Sequence, residues 1–448
     1  MPYPHLHLLD LPANLQYFTV VTCIVAGGKN HGTLKANLIP RSGESWLLLF
    51  LMEVWNGMKI TYVCQSYPPM ISGAALMVQR LAEGIASRGH EVLVVTASDR
   101  QRAYTDSTAG LKLARLRSFP NPVRVDQRFL LWPRREIAAE LQAFHPDVLH
   151  LHDPLSAGLC ALFVAHALDI PVVLTVHALP CLVSAYAPAL PGLRQGIEAG
   201  LWAYGNWLHR QCEAIITPSR VIADIVSAHA DCRPQVIGNG VDLKRFTPRL
   251  ASLGEGEALR QKYGLDPYLP IILYAGRIDV DKRVDLVVRA AAQAMHTVDA
   301  QLLVVGDGRR RAAVMRLSEE LGIRHLSHFP GFVPATGDLP GLYRLASVFI
   351  TASEIETQSL VVLEAAATGL PVVAVRTAAA PEVMEEGING YLVAPRDIDA
   401  MADRLVRLLR NPDQARAMGQ AGRAKMQRHS LDRSIEAHEE LYRSLVLQ

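Results

Sequence analysis

Two carboxylates bracket a short apolar run in the most chemically loaded segment of the chain, Glu356-Thr-Gln-Ser-Leu-Val-Val-Leu-Glu364. It follows the apolar run from Ser347 to Thr351 and leads through Gly369 to Pro371, which reads as strand, loop, helix, glycine stop and next strand. On a continuous helix, residues eight apart share nearly one face and lie roughly 12 Å apart along the axis. That spacing places Glu364 beneath whatever Glu356 touches, with the unpaired amides of the helix start aimed between them. A ligand suited to this layout carries hydroxyls at both ends and a phosphate in the middle, as a nucleotide sugar does.

Other chemistry-bearing residues stand at the ends of predicted strands. Tyr274-Ala-Gly-Arg277-Ile-Asp-Val-Asp-Lys282 puts two cations after an apolar run, where an Arg fork and a Lys point charge would stabilise a departing diphosphate. The embedded Asp279-Val-Asp281 mimics a metal-binding D-x-D, but flanking cations already neutralise the charge a metal would, so no metal or other cofactor is expected. Val172-Val-Leu-Thr-Val-His177 ends a strand on an imidazole. Tyr67-Pro-Pro-Met-Ile-Ser-Gly73 is a strand-to-helix turn whose Gly73 admits close backbone approach to a ligand. Gly306-Asp-Gly308 closes another strand, and Gly331-Phe332-Val333 is placed to line a base. Taken singly, the His, the basic loop and the glycine turns each also fit an ordinary structural role.

What positions these residues is an alternation of short β-branched runs with amphipathic stretches, the pattern of parallel sheets covered by helices. One series contains Ile60 to Cys64, Glu91 to Thr96, Asp147 to Leu151, Pro171 to Val176 and Ala214 to Thr217. After the Gly- and charge-rich passage from Pro248 to Pro270 come Ile271 to Ala275, Gln301 to Val305, Val348 to Thr351 and Pro371 to Val375. Each series suffices for one doubly wound α/β domain, and 448 residues exceed what one core usually supports. The expected division is a first Rossmann-like domain over 58–250, a second over 251–430, and a closing helical segment over 431–448 that packs back on the first. Residues 1–57 lack either periodicity, and their apolar pieces fall short of the ~20 residues of a membrane span. They read as a non-native or disordered extension before a start at Met58.

Half of the chain is hydrophobic and a fifth charged, a globular balance that excludes large-scale disorder. Six well-separated cysteines without C-x-x-C fit reduced thiols in a cytosolic protein and argue against a structural zinc. The net charge of +2 gives no reason to expect a nucleic-acid partner, although Arg100, Arg102, Lys112, Arg115, Arg117, Arg124, Arg128, Arg134 and Arg135 cluster against only Asp106 and Asp126.

In this order the motifs resemble family 4 of the retaining glycosyltransferases, from Met58 to about residue 430. The resemblance is carried by the Glu356–Glu364 segment and its Leu363-Glu-Ala-Ala-Ala-Thr-Gly-Leu-Pro-Val-Val continuation, Gly276-Arg277 with Lys282, Gly306-Asp-Gly308, and Asn239-Gly-Val-Asp-Leu-Lys-Arg-Phe-Thr-Pro248. It implies the GT-B fold, two Rossmann-like domains facing across a cleft, and hexose transfer from a nucleotide-diphosphate sugar with retention. The residue roles it implies are Glu356 on the sugar hydroxyls, Leu360 and Val361 amides near the phosphates, and Glu364 on the ribose. Arg277 and Lys282 would hold the diphosphate, Gly73 would face it, and His177 would sit beside the reacting sugar. Two positions depart from the family pattern: Ser359, where many relatives have Gly and where Ser fits if the backbone is helical, and Ala74, where a second Gly is common.

The resemblance implies as acceptor either a membrane lipid of diacylglycerol or phosphoinositol type, or a soluble saccharide or small molecule. Phe129-Leu-Leu-Trp132-Pro-Arg134-Arg135, with Tyr186, Trp202, Tyr204 and Trp207, joins aromatic bulk to cations in the manner of a protein resting on an anionic bilayer. The expectation is a cytoplasmic enzyme, peripheral on the inner face of the plasma membrane. A solvated face with buried aromatics, a sugar-nucleotide epimerase and a non-catalytic scaffold are the competing readings.

Overall fold

The computed structural model describes residues 57–448 except 71, 109, 122–127, 185–191, 249–253, 378 and 448. The expectation for residues 1–57, and those involving Arg124 and Tyr186, therefore lie outside the described residues apart from Gly57.

Unbroken apolar runs become strands buried on both faces, as parallel sheets demand. The first sheet contains β1 (Lys59–Cys64), β2 (Glu91–Ala97), β3 (Tyr104–Thr108), β4 (Leu111–Leu116), β5 (Val148–Leu151), β6 (Val172–Thr175), β7 (Ala214–Thr217) and β8 (Gln235–Val236). Its order is β8-β7-β6-β5-β1-β2-β4-β3, parallel throughout except where β3 runs against β4. The second contains β9 (Ile271–Ala275), β10 (Gln301–Val305), β11 (Ser327–Gly331), β12 (Val348–Thr351), β13 (Val372–Val375) and β14 (Gly390–Val393). Its order, β11-β10-β9-β12-β13-β14, is wholly parallel. Chain direction across the sheet reverses between β1 and β5 in one and between β9 and β12 in the other. Crevices at the carboxyl ends of such strand pairs are where doubly wound sheets bind ligands.

Strands β3, β4, β8, β11 and β14 were not expected. Leu111-Lys-Leu-Ala-Arg-Leu116 breaks its apolar residues with two cations, so its charges read as surface, yet it forms β4. The basic cluster is correspondingly less free than its composition suggests. Arg115 is buried against the Pro68 carbonyl, Arg128 donates to the Ser118 carbonyl at 3.0 Å, and Lys112 pairs with Glu140 at 2.7 Å.

Four helices carry the functional edges of the first lobe: α1 (Gly73–Ser87), α2 (Arg134–Phe144), α3 (Ser156–Ala167) and α4 (Leu193–His209). In the second lobe α5 (Leu360–Ala367) follows β12, and α6 (Leu431–Val446) closes the described chain. Helix α6 lies against the first lobe. Arg88 and His90 bond the Glu439 carboxylate at 2.8 and 3.1 Å, and Tyr442 reaches His150 at 2.6 Å. A Cβ at Gly84 of α1 would stand 2.2 Å from the Ile435 side chain, so a larger residue there would force that helix contact to shift.

Candidate active site

Glu356 and Glu364 do not share a helix. Helix α5 starts at Leu360, and Ser359 before it is extended (φ −78°, ψ 102°), so the helical backbone on which its fit was conditioned is absent there. Its φ is negative, so serine carries no backbone strain at this position. The Ser359 hydroxyl makes no capping bond and has no hydrogen-bond partner among the described residues, although it is buried. Among the described residues the Ser359 side chain thus leaves the amides of Leu360 and Val361 uncapped at the helix start. Across the seam stands Gly73: a Cβ there would lie 3.8 Å from Leu360 Cδ1, which sets the two predicted donor residues face to face.

The loop carrying Glu356 is stitched to the first lobe by neighbouring polar groups. Thr357 Oγ1 donates to the His177 carbonyl at 3.2 Å, Ser219 Oγ donates to the Thr357 carbonyl at 2.9 Å, and Asn239 N–H donates to Gln358 Oε1 at 2.7 Å. These bonds bring His177 within one residue of Glu356 along the loop. The Glu356 carboxylate itself accepts from Lys282 Nζ at 2.7 Å.

Arg277 follows β9 and is gripped by Asp279 and Asp281, each at 2.7 Å. The D-x-D pair thus orients a guanidinium in a fork. Gly276 takes φ +145° and Gly306 φ +140°; a Cβ on Gly306 would fall 1.8 Å from the Gly276 carbonyl oxygen. Gly306 accordingly lets the ends of β9 and β10 close on one another, which aims the Arg277 loop. Val333 is only 6% exposed and packs in the second lobe's core with Val305, Leu342 and Tyr343, so its side chain is not available to line a base, while its neighbour Phe332 is exposed.

Glu364 meets a partner that the sequence reading missed. Arg80 of α1 donates to it at 2.9 Å, Tyr343 OH lies 3.4 Å away, and the two charged residues are only 8% and 5% exposed. Burial pushes the Glu364 carboxyl up, and Arg80 and Tyr343 pull it back. The signal for Arg80 was present: it shares a helical face with Met77 and Leu81, an odd place for a cation without a partner. His152 was missed too. It lies 2.8 Å from His177, and the spacing His150-Leu-His152 places both imidazoles on one side of the chain. Burial drives His150 and His152 well below their ordinary range and His177 down to about 4, so all three are neutral near pH 7.

Solved structures with this two-sheet arrangement include the Anabaena HepE protein in complex with UDP and glucose, at a TM-score of 0.68 and 19% identity over 86% of this chain and all of that one. At that identity the likeness shows the shared fold, GT-B. Residues 71–245 match the family described as Glycosyltransferase Family 4 and residues 255–425 the one described as Glycosyl transferases group 1; the chain belongs to this glycosyltransferase family. A GDP-mannose-dependent alpha-mannosyltransferase of Mycobacterium tuberculosis is 30% identical over 71% of this chain and 79% of its own. An alpha-monoglucosyldiacylglycerol synthase of Streptococcus pneumoniae is 27% identical over 71% of each chain.

Proposed function

We propose that the protein transfers a hexose from a nucleoside-diphosphate sugar to an acceptor hydroxyl, with retention and without a metal. The observation that carries this reading is the open start of α5, facing Gly73 and bordered by Lys282 on Glu356. Free helix amides and the macrodipole favour a phosphate there. In this reading Lys282 and Arg277 take the growing charge of the departing diphosphate, Glu356 the sugar hydroxyls and Glu364 the ribose, while His177 borders the reacting centre. The bond from the anomeric carbon to the diphosphate breaks as the bond to the acceptor oxygen forms on the same face. The acceptor's proton passes to a leaving phosphate oxygen, so no glycosyl-enzyme adduct is required; a trapped adduct on Glu356 would overturn this step. A thermal-shift panel of UDP-, GDP- and ADP-sugars tests the donor. One family member should raise Tm, since ligand at 100 times Kd adds about 2.7 kcal/mol. No stabilisation by any of them would refute the reading.

For the acceptor, the proposal is a lipid presented at the inner leaflet. Leu131 and Trp132, which adjoin Arg134 and Arg135 in the chain, are 70% and 54% exposed, and Leu155 and Trp207 are also exposed. They form one region: Trp132 N–H bonds Ser156 at the start of α3, and Phe163 of that helix packs on Trp207 of α4, with ring centroids 6.4 Å apart. The named relative that makes a glucosyldiacylglycerol supports the same reading. No described helix is long and apolar enough to cross a membrane, so association would be peripheral. Flotation with anionic vesicles decides it: absence of enrichment, with full activity on a soluble saccharide, removes the lipid.

A further inference from the structure

His152 and His177 share a single bridging hydrogen. Their facing atoms, His152 Nδ1 and His177 Nε2, are 2.8 Å apart, so with both rings neutral one nitrogen donates and the other accepts. The other nitrogen of His152, Nε2, is buried and has no partner among the described residues. Were His152 Nδ1 the acceptor, the only proton on that ring would sit on Nε2 with nothing to receive it. A buried orphan N–H is rarer and more costly than an unused lone pair. His438 illustrates the cheaper arrangement nearby: its Nδ1 must donate to the Ser434 carbonyl at 2.7 Å, which leaves a bare lone pair on its buried Nε2.

We propose that His152 is a positioning residue: its Nδ1–H donates to His177 Nε2 and thereby fixes the neutral His177 ring with its proton on Nδ1, as a hydrogen-bond donor at the seam. The Nε2 lone pair of His177 is then engaged, so this imidazole holds a sugar or acceptor oxygen and takes no proton from the acceptor. Surrounding groups keep the pair uncharged. Burial is the main cause; His150 lies tilted against His152 with centroids 4.0 Å apart, Tyr62 lies at 5.7 Å, and the neighbouring His438 further disfavours protonation of both rings. What the Nδ1–H meets rests on the transfer reading above; the tautomer does not.

The test is long-range proton–nitrogen correlation on the full chain with ¹⁵N-histidine, without sugar, near pH 7, with peaks assigned from His177→Gln and His152→Asn. The expected pattern is a pyrrole-like Nδ1 and a pyridine-like Nε2 on His177. The reverse pattern, or a charged ring, overturns the proposal. Kinetics give a second readout that a purely structural role would not move. His152→Asn keeps an N–H near the same point and should retain kcat within about threefold, whereas His152→Leu should lose roughly 10²-fold in kcat with little change in donor KM. Equal kcat in the two variants overturns it as well. A donor panel without any stabilisation would sink the transfer reading and leave the tautomer result standing.

Discussion

The two edges that meet at the seam are built from opposite materials. On the first lobe the polar groups around His177 are neutral: His150 bonds Tyr442 at 2.6 Å and Thr175 at 2.7 Å, and His152 bonds His177. On the second lobe they are charged and paired, with Arg277 on Asp279 and Asp281, and Lys282 on Glu356. Among the described residues the one charge that the first lobe sends across is Arg80, and it goes to a carboxylate of the second. A neutral edge suits an uncharged hydroxyl acceptor, and a charged edge suits a diphosphate. The contrast assigns the two halves of a transfer reaction to the two sheets.

Removing the crossing charge should have the largest effect. Glu364→Ala leaves the Arg80 guanidinium buried without compensation and should cost about 3–5 kcal/mol in urea unfolding, with a double change to apolar residues recovering much of it. A loss below about 1 kcal/mol would mean that water reaches the pair. Arg277→Ala attacks the charged edge itself. It should reduce kcat by roughly 10²–10³ while weakening donor binding less, because the charge on the diphosphate grows as it leaves. Equal losses would make Arg277 an anchor only.

The neutral edge should show itself as a pH dependence with two opposing signs. His438, held at about 4 by burial, stays neutral in the fold while the unfolded chain takes a proton below about pH 6.5. Stability is therefore lost as pH falls from about 6.5 to 4, by roughly 3 kcal/mol for this one residue. Asp153, pushed up to about 6 by burial, binds its proton in the fold before the unfolded chain does. It adds stability as pH falls from about 6 to 4, again by roughly 3 kcal/mol. In denaturation at stepped pH, His438→Gln should flatten the acid loss and Asp153→Asn should steepen it; unchanged slopes would show both sites to be hydrated.

The smallest contrast is between two serines before helices. Ser72 accepts from Ala75 N–H at 3.0 Å and caps α1, so Ser72→Ala should cost about 1 kcal/mol. Ser359 caps nothing, and Ser359→Ala should change stability by less than about 0.5 kcal/mol. If it instead weakens donor binding in the thermal-shift panel, the uncapped helix start belongs to the ligand.

The sequence made the central strands legible because both faces of a parallel sheet are buried, which leaves runs such as Ile271 to Ala275 with no polar residue to confuse the period. The unexpected strands escaped because they carry charges, as β4 does, or interruptions, as Pro330 does in β11. Glu356, Lys282 and Arg277 were readable from their places after strands. Arg80 was legible only as a cation out of place on an apolar helix face; its partner lies 284 positions away, so no local signal named Glu364. The helix between Glu356 and Glu364 was misjudged because apolar spacing fixes where α5 runs but not where its first turn begins.

Tyr442 and Tyr62 approach each other at 3.3 Å although 380 positions separate them. A ribosome adding roughly 5–20 residues per second needs on the order of 20–80 seconds to cover that stretch. Over that interval the phenol of Tyr62, and over its last 292 residues the Nδ1 of His150, waits without the hydroxyl that closes over them. The nascent half-molecule is an unfinished vessel, sealed only when α6 arrives.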